Sequence, residues 1–151
     1  MKILIDIDGT IADTPTEVLQ WLGLHGYQCR RSGTDISGVD SAFITYVFNH
    51  IVIPRGTAAP MRKHWDVIKG VVEGNEIVYL SARPKELSAV TKKWLRKWGF
   101  PQGQVLCLGH DGKDQYLENI REDAVLFDDN KKYLSFQSNN LKIIILGKER
   151  R

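Results

Sequence analysis

Cysteine and proline are both scarce in this chain of 151 residues, with two of the first and five of the second. Cys29 and Cys107 build no disulfide framework, and with four scattered histidines they show no zinc spacing. A reducing, cytoplasmic setting is the expectation. No apolar run approaches the roughly 20 residues that span a bilayer, so no membrane partner is expected. The first apolar stretch is interrupted by Asp6 and Asp8, whereas the apolar region of a signal peptide is uncharged and ends in small residues. Internal repeats and low-complexity tracts are missing. No GxxxxGK followed by Ser or Thr occurs, which argues against a P-loop kinase. No GxGxxG follows the first strand, which leaves a dinucleotide-binding fold unsupported. Neither sign of charge dominates. The net charge of +3 suits an anionic ligand without demanding nucleic acid.

What the chain does have is five short apolar runs, at 2–7, 76–80, 104–108, 124–127 and 142–146. They are β-branched or leucine-rich and nearly continuous, as strands are when both faces are buried in a parallel sheet. Helical patterns lie between them. Thr14-Pro15-Thr16-Glu17 reads as a capping box opening a helix over about 15–24. Others are expected over 60–72, from 84–85 to Trp98, and over 114–120. In the third, Leu87, Val90, Thr91, Trp94, Leu95 and Trp98 share one stripe, and Lys92, Lys93, Arg96 and Lys97 the other. This alternation implies a single α/β domain, 1–151, with a doubly wound, Rossmann-like, five-stranded parallel sheet. Residues 27–59 break the pattern. They read as a small helical cap insertion with one helix over about 40–50. The basic end, 148–151, reads as a frayed tail.

Ligands of doubly wound sheets bind beyond the carboxyl ends of the strands, and there the chemistry-bearing residues cluster. The first strand runs into Asp6-Ile7-Asp8-Gly9-Thr10. If strand geometry persists, Asp6 and Asp8 share a face with Cα atoms roughly 6–7 Å apart, a repulsive pair unless a cation or proton compensates. Ser81-Ala82-Arg83-Pro84 follows the second strand, Asp128-Asp129 the fourth, and Lys113 stands at an expected helix start. Carboxylate oxygens hold Mg²⁺, while a hydroxyl and an ammonium neutralise phosphoryl oxygens.

DxDGT, a hydroxyl after the second strand, a lysine, and then DD resemble the four motifs of the haloacid dehalogenase superfamily phosphatases. The likeness extends from Ile3 to about Leu146, apart from the cap. The stretches SARPKELSAVTKKWLRKWGFP and LFDDNKKYL look most similar to the 5′(3′)-nucleotidase-like branch, and the chain also resembles the phosphatase domain of polynucleotide kinases. The resemblance implies a Mg²⁺-dependent phosphomonoester hydrolase acting on nucleotides. Asp6 would be the nucleophile, forming an aspartyl-phosphate. Asp8 would be the acid and base, holding a proton at neutral pH. Asp6, the backbone carbonyl of Asp8, Asp128 and Asp129 would serve the metal. Lys113 and Ser81 would hold the phosphate, with Ala82, Arg83, Thr10 and the amides near Gly9 lining the same cradle.

Other residues read more plainly. Trp94 and Trp98 lie on the apolar stripe and are expected in the core. The cap aromatics Phe43, Tyr46 and Phe48 are expected to fill the cap's own interior, His110 to lie in a loop, and Asp13 to serve the first helix. Lys131 and Lys132 follow the aspartate pair and are expected beyond the metal. Two other functions remain open: a 3′-phosphatase on nucleic-acid ends, since a small cap leaves an open cleft, and a catalytically idle binding domain, since fold alone confers no activity.

Overall fold

Near-continuous apolar strands need cover on both faces. The computed structural model, which describes residues 1–147, shows how they obtain it. The tail expected over 148–151 lies outside the described residues. In chain order the strands are β1 (Lys2–Ile5), a short pair β2 (Arg30–Ser32) and β3 (Asp35–Ser37), then β4 (Glu76–Ser81), β5 (Gln104–Cys107), β6 (Ala124–Asp128) and β7 (Leu141–Ile145). The five longer strands form one parallel sheet in the order β5-β4-β1-β6-β7. The chain moves outward from β1 through β4 to β5, then crosses to the other side for β6 and β7. The order therefore reverses between β1 and β6, which are paired with Ile5 opposite Phe127. That reversal is the switch point beside which doubly wound sheets take their ligands.

Alternate side chains of each strand serve opposite faces. Ile3, Ile5 and Tyr79 pack with Ile68, Trp94, Leu95 and Phe100 on one side. Leu4, Val78, Leu80 and Leu126 pack with Leu117, Ile120 and Tyr133 on the other. The helices that supply this cover are α4 (Arg62–Val72), α5 (Ser88–Lys97) and α6 (Gly109–Asn119). Trp94 is in the core as expected, and its indole N–H donates to the Ala58 carbonyl at 2.8 Å. Trp98 is half-buried against the same cluster.

Three local expectations change. The first helix, α1 (Thr14–Leu24), is capped by Asp13, whose carboxylate accepts from the Thr16 amide and hydroxyl. Thr14 is thus already helical, and Glu17 binds Thr57 instead of closing a capping box. α6 begins at Gly109, five residues before the expected start, so Lys113 stands a full turn inside it and His110 lies in its first turn, not in a loop. The region after α1 is not purely helical. β2 and β3 form an antiparallel hairpin. Only then follow α2 (Ser41–Val47), a π-helical turn at Phe48–Val52 and the single turn α3 (Ile53–Arg55). Val18, Leu22, Ile44, Val47 and Val52 form a separate small core there, with Phe43 and Phe48 packed against it, while Tyr46 is exposed. Among the described residues no helix is long and apolar enough to cross a membrane.

Candidate active site

The β1 strand stops at Ile5, and the chain turns hard. The Ile7 carbonyl accepts the amides of Thr10, Ile11 and Ala12, and the Gly9 amide donates to the Ala12 carbonyl. Glycine is required at position 9 for two reasons. Its φ is +82°, and a Cβ there would lie 2.5 Å from Asp129 Oδ2. The turn is braced from outside. Met61 N–H donates to Ile11, Asp13 N–H to Ala59, and His64 Nδ1–H to the Thr10 carbonyl at 2.7 Å. The amides of Gly9 and Thr10 are therefore spent inside the turn, and of the amides near Gly9 only others could serve a phosphate cradle.

The turn also sends Asp6 and Asp8 to different partners, because strand geometry does not persist as far as Asp8. Asp6 accepts from Lys113 Nζ at 2.9 Å and from the Thr10 hydroxyl at 2.8 Å. The same ammonium donates to Asp128 Oδ2 at 2.8 Å, and its Nζ lies 4.5 Å from the Tyr133 ring centroid. Burial works against the Lys113 charge, but Asp6 and Asp128 outweigh it and hold the ammonium well above its ordinary pKa. Burial and the nearby Asp6 charge raise Asp128 to about 6, against the opposing pull of Lys113. The same two causes raise Asp129 to about 8. Oxygens of Asp6, Asp128 and Asp129 lie within 4.8 Å of one another. An all-oxygen, anionic set of this kind fits a hard divalent cation such as Mg²⁺. The Asp8 side chain is not part of this group.

Asp8 is instead clamped by Arg83. The guanidinium donates from Nε to Oδ2 at 2.9 Å and from Nη2 to Oδ1 at 2.7 Å, the two-pronged geometry that only arginine offers. Its Nη1 donates to the Thr91 hydroxyl on α5, and the Thr14 hydroxyl donates to Asp8 Oδ1 at 2.7 Å. Burial pushes the Asp8 pKa up, but Arg83 and Thr14 outweigh it and hold the carboxyl below its ordinary value. The Arg83 pair therefore works against the expectation that Asp8 keeps a proton at neutral pH. Ser81 is buried, and its hydroxyl accepts the Arg83 amide at 2.9 Å.

These groups open onto a cleft of about 250 Å³. Asp6, Asp8, Ala82, Arg83, Lys113, Asp128 and Asp129 line it. Gly9, Thr10 and Ser81 stand behind the lining. The cap contributes Thr34 from the hairpin turn, and Ile44, Thr45, Phe48 and Asn49 from one face of α2 and the turn after it. His110 and Tyr133 also line the cleft. Lys131 and Lys132 are exposed. Sequence reasoning missed Tyr133 and Thr34. The first carried no signal beyond an apolar spacing, and the second lies in a loop with no motif. No family model matches the chain, and no curated protein is detectably similar to it.

Proposed function

We propose that the chain is a Mg²⁺-dependent phosphomonoester hydrolase of the haloacid dehalogenase type, acting on nucleotides through an aspartyl-phosphate. The observation that carries this reading is the surroundings of Asp6. It lies beside the switch point, at the cleft floor, with a buried ammonium and two further carboxylates within reach.

Asp6 attacks phosphorus, and the bond to the leaving oxygen breaks. Lys113 stabilises the negative charge of the phosphoryl oxygens as the transition state forms. Asp6, Asp128, Asp129 and the Asp8 carbonyl would hold Mg²⁺, which would supply further charge neutralisation. A monoprotonated phosphate ester hands its proton to ionised Asp8, which passes it to the leaving oxygen and then takes a proton from the water that hydrolyses the acyl-phosphate. The ionised form of Asp8 suits the second step. The first requires a proton to reach it against the Arg83 pair. The cap face of Ile44, Phe48 and Asn49 offers an apolar surface beside an amide, which suits a nucleoside leaving group.

Phosphate release, assayed with Mg²⁺ and with chelator over nucleoside 5′- and 3′-monophosphates, a 3′-phosphorylated oligonucleotide and sugar phosphates, tests this. Asp6→Asn is the blank. Mg²⁺-dependent release that vanishes in the variant is expected, with nucleotides preferred. Silence across the panel from folded, Mg²⁺-supplied protein favours the idle binding domain. The exposed basic face of α5, with Lys92, Lys93, Arg96 and Lys97, favours nucleic-acid ends as a second reading. A steep fall of oligonucleotide turnover with salt would select it.

A further inference from the structure

Asp129 is flanked by two hydroxyls from different parts of the molecule. Thr10, in the turn after β1, gives its one proton to Asp6 at 2.8 Å and stands 3.2 Å from Oδ1 of Asp129. Thr34, in the turn of the β2–β3 hairpin, donates to Oδ2. The Thr34 methyl lies over the bare face of Gly9, only 3.1 Å from where a Cβ would stand. The hairpin is itself tied down. Arg31 donates to the Thr16 hydroxyl, to Asp13 Oδ1 at 3.2 Å, and to the Gly33 carbonyl next to Thr34. One arginine thus links the N-terminus of α1 to Gly33, the neighbour of the residue that touches the carboxylate cluster.

Each Asp129 oxygen has room for more than one partner. The Thr34 hydroxyl on Oδ2 still leaves the carboxylate able to face a cation while fixing the plane in which it does so. Groups that orient a metal's ligands in this way govern affinity without touching the ion. We propose that Thr34 is a positioning residue for the cation site, so that closure of the cap hairpin and binding of Mg²⁺ are coupled. The inference rests on the metal-dependent reading above, and it adds that the cap takes part in building the metal centre as well as covering the substrate. Coupling is reciprocal. A seated hairpin tightens the cation, and the cation holds the hairpin.

Mg²⁺ affinity is measured by titration calorimetry in wild type, Thr34→Val and Thr34→Ser, with no substrate present. The valine variant keeps the methyl and loses the hydroxyl, and its affinity is expected to fall about 10–100-fold. The serine variant keeps the hydroxyl, and is expected to bind within a few-fold of wild type. Amide hydrogen exchange over 30–37 in wild type is expected to slow when Mg²⁺ replaces chelator. Equal affinity in wild type and the valine variant overturns the proposal and leaves the metal-dependent reading intact. So does a serine variant as weak as valine, or exchange indifferent to Mg²⁺. Wild type that binds no Mg²⁺ overturns both. Should the valine variant fail to fold, the serine variant and the exchange measurement still decide the matter.

Discussion

Lys113 is the residue on which most of the site's electrostatics turn. It is buried, and it is the ammonium shared by Asp6 and Asp128. Removing one partner of a buried pair leaves the other charges uncompensated, at a loss of roughly 3–5 kcal/mol. Lys113→Ala is therefore expected to melt at lower temperature in chelator, with Mg²⁺ recovering part of the loss, and to turn over on the order of 10²–10³ more slowly by analogy with lost transition-state donors. Calorimetry and steady-state kinetics check both halves; a negligible rate effect would mean that another cation serves the phosphoryl group. Arg83 makes a different prediction. If turnover needs Asp8 protonated, the rate falls as pH rises through the Asp8 pKa. Arg83 holds that pKa down, and lysine cannot reproduce its two-pronged contact. Arg83→Lys should raise the Asp8 pKa and move the alkaline limb of the pH–rate profile to higher pH. A limb that stays put would show that the pair does not set it.

At the level of elements, the turn after β1 decides where the two motif aspartates point. Its amides close on Ile7 and Ala12, and Gly9 passes beneath Asp129 and Thr34. Gly9→Ala forces a side chain into a left-handed conformation, at about 1–2 kcal/mol, and drives its Cβ against Asp129. A lower melting temperature and weaker Mg²⁺ binding are expected together. A melting shift without a binding shift would mean that Asp129 relaxes freely. The strands were legible in the sequence to within a residue or two because burial on both faces leaves a continuous apolar run. The hairpin β2–β3 was not. Arg30-Arg31-Ser32 and Asp35-Ile36-Ser37 carry almost no apolar signal, and the hairpin is held by Arg31 reaching α1 and by the single Ile36 packed against the small core of the cap.

Across the whole molecule, stability should depend on pH in a direction set by the cation site. Burial and the Asp6 charge raise Asp129 from 3.8 to about 8, and Asp128 to about 6. A carboxyl raised on folding contributes stability that is fully present below its unfolded value and lost as pH rises through its folded value. Asp8 has the opposite sign, contributing above its unfolded value and losing that contribution as pH falls through the lowered one. The metal-free protein should therefore lose thermal stability between about pH 5 and pH 8, and Mg²⁺ should raise the melting temperature more at pH 8 than at pH 6, because binding must displace the proton on Asp129. Thermal melts with Mg²⁺ and with chelator at the two pH values check this. An equal Mg²⁺ increment at both would place the cation away from Asp129.

The sequence by itself determined the parallel α/β sheet and the positions of Asp6, Lys113, Asp128 and Asp129 near one edge of it. Strand periodicity is local, and in a doubly wound sheet strand ends converge whatever lies between them. The tertiary structure alone decided the partners. Arg83 meets Asp8 from 75 residues away, and Thr34 meets Asp129 from 95. Neither contact has a spacing or a propensity behind it. Each exists because a buried carboxylate must be satisfied by whichever donor the packed elements bring within reach, and that is set by how the hairpin and α5 close around the turn after β1.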